Sequence, residues 1–152
     1  MVNSNFFKNK KILVTGGAGF IGGAFIERLL YNSEAELFNL DKLSYASNLD
    51  RIEIILRKNN HFSNRYKFLK VDLNNIEALK QTISNVKPDL ILNFAAESHV
   101  DRSIENPNNF IQSNIVGTFN LLNFALIYWK SIIDKEKKDN FRFLHISTDE
   151  VF

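Results

Sequence analysis

The stretch Lys11-Ile12-Leu13-Val14-Thr15-Gly16-Gly17-Ala18-Gly19-Phe20-Ile21-Gly22 decides the fold. Its first five residues are a short, largely apolar run that reads as a buried strand. Gly16, Gly19 and Gly22 follow at once with the spacing GxxGxxG. Phe20, Ile21, Ala24, Phe25 and Leu29 then recur at helical spacing, which predicts a helix from Gly19 to Tyr31. Strand, glycine turn and helix in succession place open N–H groups and the positive end of a helix dipole where a pyrophosphate would sit. Glycines in a tight turn also serve packing alone, but here they are answered by Asp41, 19 residues past Gly22 at the end of a second apolar run. An acidic residue at that place takes the adenosine ribose hydroxyls and disfavours a 2′-phosphate. The cofactor expected is therefore NAD, with NADP kept as the alternative by Lys42.

Outward from this unit the same alternation continues. Glu36 to Asp41 reads as strand 2, Leu49 to Leu56 as a short helix, Arg65 to Asp72 as strand 3, and Asn75 to Asn85 as a helix stopped by Pro88 and Asp89. Leu90 to Ala95 reads as strand 4, Pro107 opens a long helix reaching Trp129, and Phe141 to Ser147 is strand 5. Strands alternating with helices imply parallel crossovers. The fold expected is α/β: a doubly wound, Rossmann-type parallel sheet with helices on both faces, strand order 3-2-1-4-5, ending after strand 5. One domain, residues 1–152, accounts for the chain. Ligands of such sheets sit at the carboxyl ends of the strands. Asp72 is placed there to reach the adenine edge, or else to cap a turn; Ala95 and Ala96 let a cofactor lie against the backbone, or else simply pack.

Composition narrows the class. The 152 residues are 45% hydrophobic and 24% charged, which excludes a disordered chain. Cysteine is absent, so disulfides, cysteine–zinc sites and thiol nucleophiles are excluded, and no metal site is expected. The net charge of +2 does not suggest a nucleic-acid partner. Arg57, Lys58, His61, Arg65 and Lys67, with Phe62 and Tyr66 among them, read as a solvated loop. The uncharged run from Asn106 to Trp129 is long enough to span a membrane, but its six asparagines and Gln112 argue against it. No secretory signal precedes Glu27, so the expected location is the cytoplasm.

Together these motifs resemble the extended short-chain dehydrogenase/reductase family, and cover nearly the whole chain. Thr15 to Gly22 carries its glycine pattern. Leu40-Asp41-Lys42-Leu43-Ser44-Tyr45-Ala46-Ser47-Asn48-Leu49, Asn93 to Ile104 (NFAAESHVDRSI) and His145 to Phe152 (HISTDEVF) resemble its sugar-nucleotide 4,6-dehydratase branch. Ser44, Ser47 and Phe152 depart from the usual Thr, Gly and Tyr. The resemblance implies cofactor contacts from Gly16, Gly19, Phe20, Ile21, Gly22, Asp41, Lys42, Leu43, Ser44, Asp72, Leu73, Ala95, Ala96, Glu97, Ser98 and Ser113. It implies a nucleotide-sugar substrate touched by Ser98, His99 and Thr148. Catalysis falls to Asp149 as acid and Glu150 as base. Without the resemblance, Asp149-Glu150 reads as a solvated strand end and His99 as a loop histidine. The family also builds dimers on the helix that here spans 107–129, whose Ile111, Ile115, Phe119, Leu122 and Leu126 share a face, with Phe124, Ile127 and Tyr128 forming a second apolar area.

The family's hydride chemistry uses a Tyr-x-x-x-Lys pair on the helix after strand 5. Tyr31, Tyr45 and Tyr128 are followed at the fourth position by Ala35, Leu49 and Ile132; only Tyr66 and Lys70 fit, and they fall in strand 3. The pair and the sugar-binding part are expected in sequence beyond Phe152, and these 152 residues alone are expected to be inactive. Another NAD-dependent nucleotide-sugar epimerase or decarboxylase, or a non-catalytic dinucleotide-binding fragment, remain the alternatives.

Overall fold

The computed structural model describes residues 4–99, 104 and 106–147. Five strands form one parallel sheet in the order β3-β2-β1-β4-β5: β1 (Lys11–Thr15), β2 (Glu36–Asp41), β3 (Tyr66–Lys70), β4 (Leu90–Asn93) and β5 (Arg142–His145). The expected strand order and fold class both hold. β1 is central because it can be buried on both faces: Ile12, Leu13 and Val14 are fully covered. Alternation along the strand sends Ile12 and Val14 to one core with Ile26, Leu30, Leu37 and Ile52, and Leu13 to the other with Leu79, Ile83, Ile91 and Leu121.

The first core is roofed by α1 (Phe20–Asn32), α2 (Asp50–Lys58) and the single turn α3 (Asn60–Ser63). The second lies under α4 (Ile76–Val86) and α5 (Pro107–Ser131). α4 starts on an Asn75 side chain accepting from Ala78 N–H and stops at Lys87 in the left-handed region, φ 53°, one residue before Pro88. A last short helix, α6 (Lys135–Asn140), is capped by Asp134 and was not foreseen from its charged sequence.

Three expectations need correction. Strand 4 ends at Asn93 rather than Ala95, because the Asn93 side chain turns back to take the Ala95 N–H and the chain leaves the ladder. The basic stretch is solvated as expected at Arg57, Lys58, His61 and Lys67, but it is not a loop and Arg65 is buried. Arg57 and Lys58 close α2, Phe62 enters the core, and the largely buried Arg65 donates to the carbonyls of Leu30 and Ala35 beneath the ring of Phe62. Finally, α5 is not uniform: Ile111–Gly117 is a π-helical segment between α-helical Pro107–Phe110 and Thr118–Ser131. α5 is long and apolar enough to cross a membrane by length and composition alone; in the fold, Leu121 and Ala125 are buried against the sheet.

Candidate functional site

The carboxyl ends of β1 to β4 surround an open groove. Its floor is the glycine turn. Gly16 N–H donates to Leu40 O (3.0 Å) and Gly19 N–H to Gly16 O (3.1 Å), folding the chain back between β1 and α1. Gly16 has φ +69°, and a Cβ there would stand 2.6 Å from the Ala95 backbone nitrogen. A Cβ on Gly22 would stand 2.3 Å from Gly16 O, so the first turn of α1 rests directly on the loop. Gly17, which the spacing did not single out, is as constrained: a side chain would meet Asn39 Oδ1 at 2.1 Å. The Gly16-Gly17 doublet was the available signal. Beneath it, fully buried Asn39 donates to the Tyr66 hydroxyl (2.9 Å), and burial pushes the Tyr66 phenol above its ordinary pKa. That fixes Tyr66 as a structural group on β3 and removes it from any pairing with Lys70.

Asp41 closes the floor. It is 8% exposed; Oδ2 accepts from Ala18 N–H (3.1 Å), and Oδ1 from Leu43 N–H (2.8 Å) and the Ser47 hydroxyl (3.0 Å). A carboxylate has about four acceptor positions; one here ties β2 to the glycine turn and two hold the loop that follows β2, at the rim of the groove. Ser47, noted in the sequence only as a departure from the usual Gly, was not given this role, because its partner Asp41 lies six residues upstream.

The opposite wall is held by asparagines. Fully buried Asn93 uses its whole amide: Oδ1 accepts from Thr15 Oγ1 and Ala95 N–H, and Nδ2 donates to His145 Nδ1 (3.0 Å) and Thr118 Oγ1 (3.4 Å). Because an amide NH2 only donates, the His145 ring carries its proton on Nε2. Asn114, in the π-helical segment, accepts from Glu97 N–H (2.8 Å) and donates to Glu97 O (2.9 Å). Asn120 holds Leu73 O (3.1 Å). None of the three was anticipated; apart from the Ala95 N–H, two residues from Asn93, their partners lie 17 or more residues away.

Of the residues expected to bind a cofactor, Gly16, Gly19, Asp41, Lys42, Ser44, Asp72, Leu73, Ala95, Ala96, Glu97 and Ser113 line this groove, with Leu40, Ala46, Ser47, Val71, Asn74 and Phe94. Gly22 lies beneath it, and Phe20, Ile21 and Leu43 are on the surface, 88%, 62% and 37% exposed. Ser98 and His99 sit outside the lining, the His99 ring 5.7 Å from that of Tyr45. Thr148, Asp149 and Glu150 lie outside the described residues. Among the described residues no group of three or more acidic or histidine side chains is placed to hold a metal ion.

The groove fits a dinucleotide on its own geometry. α1 begins at Gly19 with no side-chain cap, so its first N–H groups stay open toward a phosphate. Gly19, bare of a side chain, lines the groove at that point, and Asp41 stands at the end of the neighbouring strand. A parallel sheet of this order with that turn at its switch point defines a Rossmann-type nucleotide-binding domain.

The chain belongs to the GDP-mannose 4,6 dehydratase family, whose pattern matches residues 13–152. It is similar to the dTDP-glucose 4,6-dehydratase of Salmonella typhimurium, 47% identical over 142 residues, which are 93% of this chain and 38% of the relative. A crystal structure of dTDP-glucose 4,6-dehydratase from Bacillus anthracis in complex with NAD superposes with a TM-score of 0.72 at 34% identity, covering 93% of this chain and 38% of that one. A UDP-Glc/GlcNAc 4-epimerase from Campylobacter jejuni aligns over 79% of this chain and 34% of its own, TM-score 0.70 and 32% identity. The chain thus spans under two-fifths of the length of these proteins.

Proposed function

We propose that this chain is the NAD-binding part of a dTDP-glucose 4,6-dehydratase, a cytoplasmic hydro-lyase that converts dTDP-glucose to dTDP-4-keto-6-deoxyglucose for rhamnose-type deoxysugar synthesis. The observation that carries the reading is the 47% identity over 142 residues to the Salmonella typhimurium dehydratase. The epimerase reading rests on a more distant likeness, 32% over a smaller share of the chain.

In this reading the open N–H groups at the start of α1 hold the pyrophosphate and Asp41 the adenosine ribose, while Ala95 and Ala96 leave room for the cofactor beside β4. NAD supplies a store for the hydride taken from sugar C4 and returned at C6, so the turnover has no net oxidation. Between those events Glu150 removes the C5 proton, the C5–H electron pair becomes the C5–C6 double bond, and Asp149 protonates the C6 hydroxyl as it departs as water; as the hydride reaches C6, Glu150 gives its proton back to C5. Ser98, His99 and Thr148 hold the nucleotide sugar. A second copy docks on the α5 face carrying Ile115 and Phe119, each 64% exposed. The seven amides between Asn106 and Trp129 and the packing of Leu121 on the sheet favour this soluble, dimeric arrangement over a membrane span.

The test is turnover of dTDP-glucose by the protein at its natural length, followed by mass spectrometry. A 4-keto-6-deoxy product lighter by one water is expected; a 4-epimer of unchanged mass would overturn the assignment.

A further inference from the structure

Resting on the nucleotide-binding reading above, the geometry points to Glu97 as a positioning residue that sets cofactor specificity through Lys42. NADP differs from NAD by a phosphate on the 2′-hydroxyl of the adenosine ribose, the group that the end of β2 faces in this fold. An anion there repels that phosphate and a cation attracts it. This chain carries both, side by side, as Asp41 and Lys42. What decides between them is where the lysine's charge is spent.

The backbone directs Lys42 away from the β2 side. Leu43 N–H returns to Asp41 Oδ1 (2.8 Å), a local turn that holds Leu43 at φ +60° with Lys42 at its centre. From there the ammonium reaches across the groove to stand 3.6 Å from Glu97 Oε1 and 3.5 Å from Ser113 Oγ. Glu97 is held ready for it: its backbone N–H and carbonyl are both taken by Asn114, and its side chain is 15% exposed. Lys42 keeps 34% of its side chain exposed, so the pair is partly screened, though less than one between two fully exposed side chains. With Lys42 paired on the far wall, the carboxylate of Asp41 is the charge left facing the ribose, and NAD is selected. Asn114 acts one step further back, by fixing where Glu97 stands.

The experiment is equilibrium titration of the protein with NAD and with NADP, read as the ratio of the two dissociation constants. Glu97→Gln keeps the shape and removes the charge, freeing the lysine for the phosphate. The NADP-to-NAD preference is expected to move about tenfold toward NADP, the size of one charge-assisted contact, and the gain should shrink as salt is raised. Adding Lys42→Met to Glu97→Gln should abolish the gain. Glu97→Asp, which retains the charge on a shorter arm, should fall between and serves if the glutamine variant is unstable. An unchanged ratio in both Glu97 variants overturns the proposal, as does a gain that survives loss of Lys42. A parent protein that binds neither nucleotide overturns the nucleotide reading itself.

Discussion

The two walls of the groove are built by different means. On the β1–β2 side the backbone does the positioning: Gly16, Gly17 and Gly22 sit where any Cβ would collide with main chain or a buried amide, and Asp41 locks the turn through Ala18 N–H. On the β4–α5 side three asparagine side chains do it: Asn93 turns onto the Ala95 N–H two residues on while bridging to Thr15, Thr118 and His145, Asn114 holds Glu97, and Asn120 holds Leu73. Steric fit fails abruptly, since a methyl group either fits or does not. Hydrogen-bonded bridges fail by degrees. The glycine wall is therefore expected to be brittle and the asparagine wall graded, with substitutions ranked accordingly.

Gly16→Ala should have the largest effect. It combines a left-handed φ with a 2.6 Å approach to Ala95, and is expected to cost about 3 kcal/mol of stability and abolish nucleotide binding, as read by urea unfolding and titration. Asn93→Leu should follow, at about 2 to 3 kcal/mol, because Thr15 and the Ala95 N–H lose their buried partner. If it were harmless, the asparagine wall would be decoration rather than support. Asp41→Asn is expected to cost about 1 to 2 kcal/mol through the weakened bond from Ala18 N–H, and to weaken NAD binding more than it weakens folding. Asn114→Ala should cost only about 1 kcal/mol globally, yet hydrogen exchange at Glu97 should accelerate strongly, since its N–H loses its acceptor.

The smallest effect tests the layer under the turn. Burial raises the Tyr66 pKa over its unfolded value of about 10. Its contribution is thus fully present below pH ~10 and lost as pH rises through the higher folded value. Unfolding monitored at alkaline pH should show this loss, and Tyr66→Phe should flatten it while lowering stability at neutral pH by about 1 kcal/mol.

The same division explains what could be read from the amino acids alone. A glycine in a turn announces a local constraint, and a carboxylate 19 residues on completes a known geometry, so the sheet order and one wall of the groove were legible. Twenty asparagines in 152 residues dilute any signal from the three that matter. Nothing local distinguishes Asn114 from Asn108 or Asn123, and the stretch that Asn93 opens says nothing of its bonds to Thr15, Thr118 and His145. Arg65 misled for the related reason that a basic residue among basic residues looks solvated, whereas its guanidinium answers two carbonyls, Leu30 in the last turn of α1 and Ala35 just before β2. On α5 the apolar residues outnumber what one interface can bury. The small ones, Gly117 and Ala125, mark the inner side with Leu121, while the conspicuous stripe of Ile115 and Phe119 faces outward.

The π-helical segment Ile111–Gly117 works as a phase shifter. Each residue of an α-helix advances the azimuth by about 100°, so a wide turn partway along α5 lets its two halves keep separate angular settings. The wide turn itself aims Ser113 and Asn114 at the groove, and the α-helical half after it aims Leu121 and Ala125 at the sheet. Trimming one residue from the wide turn would restore a regular helix and swing one half out of true with the other. The groove and the core would then compete for a single orientation, and the helix could satisfy only one of them.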